Sequence, residues 1–182
     1  MNRRYYCMFV VLFFAVLTQA AAAERTFNIL FIQSYTSQTP WHSDLNQGLA
    51  KGFKESGLKV NITTEYLDAD FWAFNSEKVI MRRFCQRARD RKTDMIITAS
   101  DEAFYTLFSS GDSLPYQVPV VFFGIKYPDK ELIASLPNVC GFTANPDFYV
   151  ILKQAQKVFP QRKEVICVID NSFLSNKGRE DF

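Results

Sequence analysis

NILFIQSYTSQTPWHSDLNQGLAKGF, Asn28 to Phe53, is the stretch on which the fold turns. It opens with an apolar run of strand length, Asn28 to Ile32, that stops at Gln33-Ser34-Tyr35. A polar loop follows, then Pro40, Trp41 and the only histidine of the chain, His42. From Trp41 onward, Leu45, Leu49 and Phe53 recur every four residues, which places them on one face of a helix. Gly48 and Gly52 flank that stripe and are expected to let the helix approach a sheet closely, and Gly57 stands where a helix C-terminus favours glycine. Strand, polar loop, amphipathic helix: the unit then repeats.

Val60 to Tyr66 is rich in β-branched residues and reads as a second strand. A helix is expected from an N-cap at Asn75, turning Val79, Ile80, Phe84 and Ala88 inward. Asp94 to Thr98 (DMIIT) is a third strand, and Ser100-Asp101 opens a short helix carrying Ala103, Phe104, Leu107 and Phe108. Val118 to Ile125 (VPVVFFGI) is a fourth strand, and Asp129 to Ser135 a short helix. Strands apolar on both faces, separated by amphipathic helices, predict an α/β lobe with a doubly wound parallel sheet. Right-handed crossovers put every carboxyl end on one edge. Ser34 and Tyr35, then Ser100, Asp101 and Glu102, then Gly124 to Tyr127 therefore gather along one rim, where open α/β sheets bind ligands.

After Pro137 the pattern restarts with NVCGFT, a helix over Pro146 to Phe159, and a buried-looking strand, Glu164 to Asp170 (EVICVID), before a polar end at Asn171 to Phe182. Residues 24–138 thus read as a first lobe. Residues 139–182 read as a crossover and the start of a second, similar lobe cut off after its first unit.

Residues 1–23 have the layout of a secretory leader: Arg3 and Arg4, an apolar run from Tyr6 to Leu17, and an A-x-A site at Ala21-Ala22-Ala23. The run is short of the ~20 residues that span a bilayer, which favours cleavage over an uncleaved anchor. Cys7 lies inside the apolar run, so no lipobox-like cysteine stands at the cleavage point. Of 21 basic residues two are the leader arginines, so the remainder balances the 19 acidic ones. Such a chain has no electrostatic case for binding nucleic acid or an anionic membrane, and the arginines between Arg82 and Lys92 read as a solvated helix face. Cys85, Cys140 and Cys167 form no zinc motif and no closed disulfide framework. Cys167, within VICVI, is expected to pack as a small hydrophobe rather than to bridge Cys140.

The ordered set ILFIQSY, the loop to Pro40-Trp41, a helix with Gly48, EYLDAD (Glu65 to Asp70), ITASDEAF (Ile97 to Phe104), VPVVFFGI and NVCGFT resembles the periplasmic binding protein-like domains of the ABC substrate-binding type. That resemblance implies two lobes with a small polar organic ligand in the cleft between them, and a periplasmic location. Such domains occur as extracytoplasmic sensors of histidine kinases, including hybrid ones, and as soluble binding proteins of ABC transporters. The sensor is the expectation adopted first, as a homodimer tied to the membrane by its leader or by a transmembrane segment beyond Phe182; the transporter component is the alternative.

Ser34 and Tyr35 match the family's cleft-facing first loop, and Trp41 offers a flat ring for stacking. His42 reads as a solvent-exposed residue of the first helical turn. Ser100 stands at a helix N-terminus, whose free N–H groups suit a polar acceptor. Asp101 either caps those N–H groups or faces the ligand, and Glu102, Gly124 and Tyr127 complete the rim set. Asp68, Asp70, Phe71 and Trp72 follow the second strand, either lining the rim or packing in the core. An exported α/β hydrolase is the least favoured reading. Adjacent acids on a helix diverge, Ser34, His42 and Asp44 show no triad spacing, and the nucleophile-elbow, phosphate-loop, dinucleotide and zincin motifs are missing. The expectation is no catalytic set, no metal and no cofactor.

Overall fold

A computed structural model describes residues 25–71, 74–144, 147–169 and 173–180. The expected leader, Trp72 and Pro146 lie outside them. The apolar run at the head of the described chain forms β1, Phe27–Gln33, and the remaining strands are β2 (Val60–Tyr66), β3 (Met95–Ala99), β4 (Val120–Ile125) and β5 (Val139–Thr143). All pair in parallel in the order β2-β1-β3-β4-β5. The helices are α1 (Pro40–Ser56), α2 (Phe74–Asp90), α3 (Asp101–Ser109), α4 (Lys130–Ser135), α5 (Phe148–Val158) and α6 (Phe173–Glu180).

Alternation along the strands sorts the core into two layers. Ile29, Phe31, Ile97 and Ala99 meet Leu45, Leu49 and Phe53 of α1 on one face. Leu30, Ile32, Ile96, Val120 and Phe122 meet Met81, Phe84 and Cys85 of α2 and Ala103, Phe104 and Leu107 of α3 on the other. The sheet is thus wound on both faces, and the expected α1 stripe faces it. Gly57 ends α1 in the left-handed region at φ 71°.

Several local expectations are corrected. Gly48 and Gly52 do not approach the sheet: a Cβ at either would meet nothing within 4 Å. Each sits one residue off the apolar stripe and is rotated by about 100° from it. Helix α2 begins at Phe74, so Asn75 lies within it rather than capping it. Val79 points to solvent, because the buried face runs through Glu77, Met81, Phe84, Cys85 and Ala88. The arginine run is not simply solvated. Arg82 donates to Ser110 O at 2.8 Å, Arg87 pairs with Glu65 of β2 at 2.9 Å, and Arg89 pairs with Asp112.

NVCGFT, expected as a crossover, supplies β5 and extends the first sheet at its edge. Beyond it the packing thins. Helix α5 is capped by Asp147, whose carboxylate accepts the Val150 N–H at 2.9 Å, yet it buries no residue. The segment expected as a buried strand, 164–169, joins no sheet; Ile166 is 90% and Val168 93% exposed. It has no neighbouring strand to take its backbone groups among the described residues. Cys140 and Cys167 are accordingly free and exposed, which corrects the buried placement of Cys167, while burial pushes the Cys85 thiol up to about 12.

Candidate functional site

The strand order reverses between β1 and β3, whose neighbours lie on opposite sides. The loops leaving their carboxyl ends turn to opposite faces there, which is the place where doubly wound sheets take ligands. Ser34 and Tyr35 leave β1 at this point, and Ser100, Asp101 and Glu102 leave β3.

Ser34 is buried, and its hydroxyl is fully engaged. Oγ donates to Ala99 O at 2.8 Å and accepts the Ala103 N–H at 2.9 Å. It therefore ties the end of β1 to the end of β3 and satisfies one of the free N–H groups of the first turn of α3. Tyr35, half-buried, donates its hydroxyl to the Glu102 carboxylate, 3.0 Å from each oxygen. Burial, then the adjacent Glu102 charge, push the Tyr35 hydroxyl far above its ordinary range, with Asp70 and Asp101 adding to the effect. Burial also raises Glu102 above the usual carboxylate range, opposed by its hydrogen bonds.

Asp101 resolves differently from either expected role. Its carboxylate neither caps α3 nor opens to solvent: it accepts the Lys126 and Tyr127 N–H groups, each at 2.9 Å. Burial raises its pKa, and those two N–H groups oppose the rise. The side chain thus anchors the β4–α4 loop to the β3 end, and Tyr105 reinforces it by donating to Tyr127 O at 2.6 Å. The Tyr127 hydroxyl lies 3.1 Å from where a Gly178 Cβ would stand, so this ring packs toward α6.

Ser100 carries the strained backbone of the site, at φ 72° and ψ 174°, a region that glycine almost alone occupies. Its N–H donates to Phe123 O at 2.9 Å, and its hydroxyl makes no capping bond to α3. Opposite it, Gly124 interrupts the β4–β5 register at φ 73°; a Cβ there would come within 4.0 Å of Ser100 Oγ. The absent side chain keeps the approach to that hydroxyl open.

Trp41 is 51% exposed and meets Tyr35 edge-on, ring centroids 6.1 Å apart. The structure thus brings Tyr35, Trp41, Ser100 and Glu102 to one rim, with Ser34 and Asp101 beneath it as braces. Phe71 is exposed at the end of the β2 loop. His42 is a correction: it is 2% exposed rather than solvated, because it turns inward under α1 against Tyr66. Sequence reading missed it for lack of a second polar partner nearby, although it stands three residues before Leu45 on the inward stripe. Among the described residues no group of three or more His, Cys, Asp or Glu could hold a metal ion, and no helix is long and apolar enough to cross a membrane.

No family model and no curated protein matches the chain. Solved structures do. The ABC domain in complex with L-Trp from Streptococcus pneumonia matches with a TM-score of 0.66 at 18% identity, over 86% of this chain and 52% of that one. The ligand-free, open CD0873, a substrate binding protein with adhesive properties from Clostridium difficile, matches with a TM-score of 0.56 at 16% identity, over 85% and 51%. The 5-methylthioribose transporter solute binding protein from Thermotoga lettingae matches with a TM-score of 0.52 at 17% identity, over 85% and 44%. The chain spans about half the length of the solved structures it matches. With its five parallel strands wound on both faces, the fold is that of a periplasmic binding protein-like α/β lobe.

Proposed function

We propose that this chain supplies one wall of a small-molecule binding site, in an exported binding protein of the kind that serves transport. The observation that carries the reading is the rim at the β1/β3 switch point. Ser100 is held there in a strained backbone conformation with its hydroxyl free of a capping role, on the same rim as the half-buried Tyr35 and the exposed Trp41. Strain of this kind costs ~1–3 kcal/mol and persists where the surroundings enforce it, often at ligand sites. Rings and hydroxyls suit a small polar organic ligand with an apolar face.

The transport reading has more in its favour than the sensor reading. Two of the similar folds are described with small ligands, L-Trp in an ABC domain and 5-methylthioribose in a transporter binding protein. Binding also suits the geometry better than hydrolysis. The Ser34 hydroxyl is spent on backbone groups, and the Asp101 and Glu102 carboxylates point to different partners.

Calorimetry against amino acids, sugars and small organic acids tests the reading. Trp41→Ala and Ser100→Ala are each expected to weaken a bound ligand about tenfold or more, the loss of ~1.4 kcal/mol. Unchanged affinity in both variants would place the site elsewhere.

A further inference from the structure

His42 occupies the third position of α1, following Pro40 and Trp41. Its ring lies 5.7 Å from that of Tyr66 on β2 and 6.0 Å, edge-on, from that of Trp41. Tyr66 is the register partner of Gln33, and Gln33 Nε2 donates to Asn46 Oδ1, one helical turn beyond His42. Two atoms of this cluster, His42 Nδ1 and Gln33 Oε1, are buried without a hydrogen-bond partner among the described residues.

Three features oppose charge on this imidazole. It is buried; it sits at the positive end of the α1 dipole; and among the described residues no carboxylate bonds to it. From β2 the Tyr66 ring faces it, while neighbouring Glu65 is ion-paired with Arg87 of α2. From the β1–α1 loop the Thr36 backbone meets it, and Tyr35 reaches it only through Trp41. On α1 itself Asp44 is exposed, and beyond β2 Asp68 is half-buried in the loop that follows the strand. Burial accordingly lowers the His42 pKa below its ordinary value, and only the Thr36 backbone opposes that.

We propose that His42 is a pH-sensitive positioning residue: uncharged, it seats the first turn of α1 on β2 and holds Trp41 against Tyr35, and charging it unseats that turn. The linkage has a definite sign. With the folded pKa below the unfolded one, the unfolded chain takes the proton first, so stability is lost as pH falls from ~6.5 through the folded value. The carboxylates raised by burial, Glu77, Asp101 and Glu102, have the opposite slope, because their folded forms hold protons more tightly.

A single histidine makes the test direct. In the Trp72→Phe variant, the imidazole Cε1–H resonance and Trp41 fluorescence are followed from pH 8 to pH 4, with no ligand present, so the outcome is independent of the binding proposal. The expected result is one imidazole transition clearly below ~6.5, with the Trp41 emission shifting over the same range. His42→Gln, with His42→Phe as a second variant, should abolish that emission shift while near-ultraviolet dichroism at pH 8 stays native. An imidazole titrating at ~6.5 overturns the proposal. So does an emission shift that survives in the folded variant, which would assign it to the carboxylates.

Discussion

Strand β3 and the segment 164–169 are alike in apolar pattern, MIITA against EVICVI, and opposite in fate. β3 lies between β1 and β4 with α1 beneath and α3 above, and its Ile96 and Ile97 are buried. Val165, Ile166 and Val168 remain 65%, 90% and 93% exposed. Burying a Val or Ile side chain contributes ~1.5–3 kcal/mol, so β3 gains stabilisation that 164–169 does not. Apolar patterning states a demand for neighbours; the neighbours themselves decide whether a strand forms.

The hardest test of this contrast uses one side chain from each region. Phe104 is fully buried and stacks near Phe108 and Phe122, at 5.0 and 5.1 Å. Phe104→Ala is expected to cost ~3–5 kcal/mol in urea unfolding, whereas Ile166→Ala should change stability by less than about 0.5 kcal/mol. Equal losses would break the comparison.

A smaller effect is expected where the packed sheet gives way to the loose segment. A Cβ on Gly141 would fall 2.0 Å from Phe122 O, so β5 can lie on β4 only with glycine there. Gly141→Ala should cost ~1–3 kcal/mol and speed amide exchange in β5 before β1 or β3. Exchange rising equally in all strands would mean that β5 is integral to the core rather than its edge.

The smallest change sharpens the picture of the rim. Ser100→Gly should relieve the backbone and raise stability by ~1 kcal/mol in the same unfolding assay. A net loss of the ~0.5–1 kcal/mol that glycine's extra backbone entropy costs would show that Ser100 bears no strain.

Much of this architecture was legible from periodicity. The bounds of β2, the Leu45–Leu49–Phe53 face and the turn at Gly57 follow from side-chain spacing and glycine's freedom, both local properties. The rim was legible too, because parallel strands with right-handed crossovers leave their carboxyl ends together. Val79 was misplaced because the α2 stripe runs through Glu77 and Met81, and a buried glutamate bonded to Thr106 breaks the apolar pattern. His42 was misplaced because its polar type was weighed above its position, three residues before Leu45 on the apolar stripe.

The sequence by itself determined an alternating α/β chain, a parallel sheet and the loops that meet at its carboxyl edge, since these depend on residue spacing and chain chirality. Only the tertiary structure decided the use of each polar group. It committed Ser34 to a brace between two strand ends, turned Asp101 to the 126–127 backbone, buried His42 and left 164–169 without a sheet. The reason is that a hydrogen bond or a buried face needs a partner brought from far along the chain. Ala99 and Ala103 lie 65 and 69 residues from Ser34, a separation over which no local pattern carries information.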